Sequence, residues 1–281
     1  MQSNNNYPKV TVITVVYNRV KSIGETIENT LKLTYPNLEY VVVDGASSDG
    51  TLDVIKKYQE RLIWVSEPDN GIYDAMMKGA KMATGEWIIY RNAGDYFYSS
   101  HVIEDVFSEY EDHGEDLIIG GVRNFVNNYY IDDFTKYPEM DYFTVIPAHH
   151  TSTFIRRTTQ LSNPYPLQLK QDADIYFFIT VLKNGGTYYK TPHLVSLFDN
   201  RSGATCDHYD ITIQERIETF ALLGAPPEKI DILKKRLKHW QKVKNRRRFF
   251  WWSLFYKFTR WYFGYYKGKW HKYSDFNELF E

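Results

Sequence analysis

The 281-residue sequence holds a single cysteine, Cys206. One thiol excludes an intramolecular disulfide framework and fits a reducing compartment. No uninterrupted apolar run reaches the roughly 18 residues that a membrane-spanning helix needs. The sequence opens Met-Gln-Ser-Asn-Asn-Asn-Tyr-Pro-Lys. That stretch lacks the apolar segment of a secretory leader, so the expectation is a chain without one. Neither Gly-x-Gly-x-x-Gly after the first strand-like run nor a Gly-Lys-Ser/Thr loop occurs. The usual dinucleotide and P-loop cradles are thereby disfavoured.

Apolar residues at 43% and charged residues at 25% are ordinary for a globular protein. The net charge of −1 conceals an asymmetry. Residues 234–281 carry 14 Lys and Arg against 3 acids, while the 233 residues before them carry 20 against 32. An acidic body with a basic end points to a polyanionic surface as partner.

Along the chain, residues 10–16 form a β-branched run that reads as a buried parallel strand. Helical spacing follows over 21–33, a second strand over 38–43, a helix over 52–58, and a third strand over 62–66. A helix over 72–83 with Gly79 inside it leads to a fourth strand, 87–90. This alternation predicts an α/β fold with a parallel sheet and crossover helices. The fourth strand stops at Asn92-Ala93-Gly94-Asp95. A carboxylate at the end of a central strand faces the crevice where such sheets bind ligands; the plain alternative is a Gly-Asp turn. Asp44, ending strand two, is suited to accept hydrogen bonds from a base or ribose, or to cap the following turn.

Four motifs then stand in order: Val-Thr-Val-Ile-Thr-Val-Val-Tyr-Asn (10–18), Val-Asp-Gly-Ala-Ser-Ser-Asp-Gly-Thr (43–51), Glu-Pro-Asp-Asn-Gly-Ile-Tyr-Asp-Ala-Met (67–76) with Lys78-Gly79, and Asn-Ala-Gly-Asp (92–95). Together they resemble the donor half of family 2 glycosyltransferases of the GT-A fold, in particular the capsule and exopolysaccharide subgroup. The resemblance covers about residues 8–200. It implies a nucleotide-sugar donor, with a UDP-sugar favoured. Val16 and Asn18 would line the nucleotide site, Asp44 would contact the base, and Ser47 would support that loop. Tyr73, Asp74 and Lys78 would face the donor, with Asn92 and Ala93 beside it. Asp95 would hold Mn²⁺ or Mg²⁺ against the diphosphate. The chain departs from many relatives where Asn92 and Gly94 replace acids and Met77 replaces an Asn. A lone carboxylate needs phosphate oxygens to complete the ion's shell. That thinned motif motivates an alternative function, a weakly active or inactive nucleotide-sugar-binding scaffold.

In the second half, a strand over 117–122 leads to a polar and aromatic ribbon over 123–131. The pair His149-His150 lies in a loop feeding a strand. On an extended segment adjacent histidines point apart, which disfavours a joint metal site; the resemblance sets His150 next to the donor phosphates or acceptor. Asp172 and Asp174 open a helix running to about Lys183, where acids suit the helix dipole. The resemblance implies that Asp172 is the catalytic base of an inverting transfer, taking the proton of the attacking hydroxyl. Asp174, on another face of the helix, is expected to pack or cap. Residues 201–203, after a strand over 194–198, are read as a lid.

The expected organisation is a glycosyltransferase domain over 1–210, with a donor half to about residue 100, and a helical extension over 211–281. Helices are expected over 213–222 and 228–243. Residues 246–270 mix aromatics with cations, which suits an anionic membrane surface lying in the interface plane. A lipid-linked or polysaccharide acceptor and a place on the inner face of the cell membrane follow as expectations. The rivals are packing into a homo-oligomer and a nucleic-acid tail. Nothing in the acidic body supports nucleic acid.

Overall fold

The computed structural model describes residues 7–126, 129–134, 142–143, 148–199, 209–246 and 271–272. The lid at 201–203, Cys206 and residues 247–270 of the basic-aromatic stretch lie outside them. In chain order the first half runs β1 (Val10–Val16), α1 (Ile23–Leu31), β2 (Leu38–Asp44), α2 (Thr51–Lys56), β3 (Ile63–Ser66), α3 (Ile72–Met82), β4 (Trp87–Tyr90) and β5 (Tyr96–Phe97). The second half runs α4 (Val102–Glu109), β6 (Leu117–Val126), β7 (Tyr129–Asp133), β8 (Thr153–Arg156), α5 (Arg157–Ser162) and α6 (Ala173–Lys183). It continues through β9 (Tyr188–Asp199), α7 (Tyr209–Leu222), α8 (Pro227–Arg246) and β10 (His271–Lys272).

Strands β4, β1, β2 and β3 lie side by side and parallel. Their residues are buried alternately against two helical layers. Ile13, Val15, Val41, Val43, Ile88 and Tyr90 pack with α3 and α6. Val10, Val12, Val42, Trp87 and Ile89 pack with α1 and α4. A strand buried on both faces needs the continuous apolar run that its sequence shows. Gly79 lets α3 press onto β1, since a Cβ there would overlap Ile13 Cγ2. That close approach sets the depth of the helix that carries Tyr73.

Beyond β4 the sheet turns mixed. β8 is antiparallel to both β4 and β6, β6 is antiparallel to β7, and β9 runs parallel to β6. β9 begins six residues before the strand expected at 194–198. Pro192 hides it, because proline lacks the ladder N–H. Register irregularities opposite, between Ile119 and Val122, accommodate the distortion. β5, with two residues, and α5, with six, are too short to show a period. The helical extension is joined to the body: Ile175 and Ile179 of α6 share a cluster with Phe220, Ala225 and Leu233. β10 lies in the sheet beside β7. Among the described residues no helix is long and apolar enough to cross a membrane.

At the opposite, amino-terminal edge of these strands Glu39 ties the layers together. Its carboxylate accepts from Lys9 Nζ (2.7 Å), Thr11 Oγ1 (2.6 Å), Thr84 N (2.7 Å) and Thr84 Oγ1 (2.6 Å). Burial alone would raise its pKa, but these donors outweigh burial and hold it down at about 2. A depressed folded-state pKa stabilises above the unfolded value of 4.5, and that stability is lost as pH falls toward 2. Glu39→Gln should therefore lose about 2 kcal/mol at pH 7. Urea melts of the variant should show a flatter stability profile than the wild type between those two pH values. An unchanged profile would remove Glu39 from this role.

Candidate active site

The motifs expected to bind the donor all follow the carboxyl ends of adjacent parallel strands. Val16 is paired with Asp44 across β1 and β2, and Ala93 N donates to Val15 O beside them. Chain reversal at these ends requires unusual backbone. Asn18 and Ala46, at φ +51° and +60°, are the two non-glycine residues with positive φ among the described residues. Strain of this kind concentrates at functional sites. It sets Ser47 so that Asn18 N donates to its Oγ (2.8 Å). Asp44 is fully buried and accepts from Ser47 N (3.0 Å), Ser47 Oγ (2.5 Å) and Ser66 Oγ (2.6 Å). In this structure Asp44 braces the loop from beneath. The loop 45–51 is also interleaved with 67–71, because a Cβ on Gly45 would overlap Asp69.

Asp74 accepts from Asn70 N (2.9 Å), and Lys78 Nζ donates to Pro68 O (2.7 Å) and pairs with Glu67 (2.9 Å). Both side chains shape the 67–71 loop. Tyr73 is buried, stacks near Tyr165, and donates its hydroxyl to Asp174 Oδ1 at 2.9 Å. Met77 is buried as well.

Asp174 links the two halves of the chain. Its Oδ2 accepts from His150 Nδ1 at 3.1 Å, and His150 Nε2 meets Asn92 Nδ2 at 3.2 Å. Asn92 N in turn donates to Asp95 Oδ2 at 3.1 Å. Residues 73, 174, 150, 92 and 95 thus form one continuous chain of polar contacts across the strand ends. Burial would lower the His150 pKa, but the hydrogen bond and charge of Asp174, with Asp95 beyond, raise it above the ordinary histidine value. Burial works against ionised Asp174, yet the His150 and Tyr73 bonds hold its carboxyl below the usual range. Asp95 is raised by burial, opposed by His150 and Arg91. The expectation that Asp174 packs or caps is corrected: its carboxylate makes both bonds out of the helix.

Asp172 is not part of this chain. It is fully buried, and both oxygens are held by Arg216 Nε at 2.7 Å, with Arg216 Nη2 at 2.6 Å from Oδ1. Asp172, the N-cap residue just outside α6, faces α7, while Asp174 in the first turn faces His150. Arg91 is a further polar group of this site that no motif marks. It is fully buried, stacks 3.8 Å over Phe97, and has Nε and Nη2 unbonded beside the Asp95 turn. A lone arginine ending an apolar strand was the available signal.

Among the described residues no group of three or more His, Cys, Asp or Glu forms a metal cage. The residues at the strand end still fit a divalent cation as a partial shell. Asp95 supplies a carboxylate, and the buried Asn92 Oδ1 has no hydrogen-bond partner. A ligand's phosphate oxygens would complete the coordination, as is common for Mg²⁺.

A parallel sheet extended by antiparallel strands, with its polar loops gathered at the carboxyl edge, defines the GT-A class. Solved structures agree on the fold. A mannosyltransferase, PcManGT from Pyrobaculum calidifontis in complex with GDP-Man and Mn²⁺, matches with a TM-score of 0.62 at 21% identity over 83% of this chain and 70% of that one. The S. aureus TarS 1–349 in complex with UDP-GlcNAc matches with a TM-score of 0.58 at 20% identity over 75% of this chain. This chain spans 66% of that TarS chain. At such identities these likenesses speak to fold alone.

The chain belongs to glycosyl transferase family 2, whose model matches residues 11–165. A PGL/p-HBAD biosynthesis glycosyltransferase of Mycobacterium bovis is 26% identical over 245 residues, covering 85% of this chain and 93% of the relative. The Escherichia coli UDP-Glc:alpha-D-GlcNAc-diphosphoundecaprenol beta-1,3-glucosyltransferase WfaP is 26% identical over 216 residues, covering 68% and 80%.

Proposed function

We propose that this glycosyltransferase moves a hexosyl or N-acetylhexosaminyl group from a UDP-sugar, with inversion, onto a hydroxyl of a lipid-linked or polysaccharide acceptor in surface glycan assembly. The observation that carries the reading is the contact chain from Tyr73 through Asp174, His150 and Asn92 to Asp95. It joins α3 and the turn after β4 to the second half of the chain at the carboxyl edge of the sheet, where such folds bind ligands. The UDP-sugar named for the E. coli relative supports the donor class.

The nucleotide lies against 16–18, 44–48 and 67–71, and the sugar diphosphate against 92–95. A divalent cation held by Asp95, when bound, neutralises charge on the departing diphosphate. We assign the proton acceptor to His150 backed by Asp174. Nδ1–H is committed to Asp174, so Nε2, which accepts from Asn92 Nδ2 at 3.2 Å in this structure, is the nitrogen that takes the hydroxyl proton once the acceptor displaces that amide. Asp174 stabilises the imidazolium that forms, as a carboxylate does behind a histidine base. The new positive charge then stands beside the leaving diphosphate. This assignment moves the base from Asp172, whose oxygens are spent on Arg216.

A thermal-shift panel of nucleotide-sugars with Mn²⁺ tests the donor class. A cognate UDP-sugar at a hundred times its dissociation constant should stabilise by roughly 2.7 kcal/mol. Silence from every UDP-sugar, with a response to another nucleotide, would overturn it; binding without transfer would favour the scaffold. For the acceptor, residues 246–270 are assigned to an anionic membrane surface, where a lipid carrier would lie. Deletion from Arg246 onward should abolish pelleting with phosphatidylglycerol liposomes, and undiminished pelleting would refute that docking.

A further inference from the structure

The loop that precedes α6 is held by α7 far more elaborately than a connection requires. Glu215 is nearly fully buried, and its Oε2 accepts the backbone N–H of both Lys170 (2.8 Å) and Gln171 (2.7 Å). One helical turn earlier, Thr212 Oγ1 donates to Gln171 Oε1 at 2.6 Å. One residue on, Arg216 grips Asp172 through both carboxylate oxygens. Three consecutive loop residues, 170, 171 and 172, are thus each fixed by a side chain of α7. On the other side, Lys170 Nζ donates to Asn70 O at 3.0 Å in the donor loop.

Stability does not explain this arrangement. Burying the carboxylates of Asp172 and Glu215 is costly, and a buried charge pair is often no better than an apolar replacement. What the contacts do is fix rotation and height at the start of α6. Asp172 is the N-cap residue of that helix, and its side chain makes no capping bond of its own. The clamp on Asp172 therefore sets where the opposite side of the first turn points, and that side carries Asp174.

We infer that Glu215 and Arg216 are positioning residues of this glycosyltransferase: a latch on α7 that holds loop 170–172 so that Asp174 meets His150. The inference rests on the assignment of Asp174 and His150 as the reacting pair. Neither latch residue touches substrate in this account. Both act through the two-residue step from Asp172 to Asp174. A misplacement near 1 Å at a reacting group costs on the order of 100-fold in rate.

The test uses the full chain with Glu215→Gln, Arg216→Lys and Arg216→Met. Three quantities are measured: kcat for transfer, UDP affinity by calorimetry, and the His150 ring by ¹⁵N NMR, which reports the Nδ1–H bond to Asp174. Glu215→Gln and Arg216→Met should lower kcat on the order of 100-fold, leave UDP affinity within about twofold, and shift the His150 ring signals toward those of Asp174→Asn. Arg216→Lys, which keeps the charge, should recover part of the rate. If a variant melts early, the ring signals and the rate are read below its melting temperature. Latch variants with an unchanged His150 signature, in a protein where Asp174→Asn is inactive, would overturn the latch alone. Full activity of Asp174→Asn would instead overturn the reading beneath it.

Discussion

Asp174→Asn is expected to lower the transfer rate by about 10² to 10⁴-fold, the range for loss of acid–base assistance, with donor affinity little changed. The amide cannot stabilise an imidazolium, and its carbonyl is a weaker partner for Nδ1–H. His150→Gln should fall by a similar factor, and the double variant should fall little further, because the pair acts as one unit. Asp172→Asn should behave differently. It removes the charged partner of the half-buried Arg216, which costs about 1 to 3 kcal/mol of stability. Any loss of rate should then track loss of folded protein or of His150 geometry. Single-turnover transfer and urea unfolding on the same preparations separate the two. An Asp172→Asn protein that is well folded, keeps the wild-type His150 signals and is inactive, beside an active Asp174→Asn, would return the base to Asp172.

Asp95→Ala should remove the metal dependence of donor binding. In this reading the Asp95 carboxylate is the one charged group the chain offers the ion. Its loss should weaken the affinity for a UDP-sugar measured with Mn²⁺ by roughly 100-fold, equivalent to about 2.7 kcal/mol. The affinity measured in EDTA should barely move. Calorimetry in the two buffers reads the difference directly. An Asp95→Ala protein that binds the donor with wild-type strength and retains the Mn²⁺ effect would place the ion elsewhere.

Much of the donor half was legible. The β-branched run at 10–16 and the Asp-Gly-Ala-Ser-Ser segment announce strands and the loops after them, because local sequence chooses a strand and stops it with turn formers. The second half was less so. Pro192 conceals the first residues of β9, since tolerance of a proline depends on the partner strand's bulge. The site shows the same division. The motifs mark Asp95, Asn92 and His150, while the helix start offers both Asp172 and Asp174 and the resemblance favours Asp172. Spacing at a helix start says that the two diverge; it does not say which direction holds the histidine. Arg216 and Glu215 carried no signal, because an Arg-Glu pair on a polar helix looks like a solvated face.

Composition, periodicity and motif order by themselves determined the α/β class, the carboxyl-edge loops and the family. These depend on interactions within a few residues or on a linear pattern. Only the tertiary structure decided that Asp44 braces its loop, that Tyr73 holds Asp174, and that Asp172 is spent on α7. Each depends on which groups, dozens of residues away, come within hydrogen-bond reach. The physical reason is that a carboxylate's chemistry belongs to its partners, and packing chooses them.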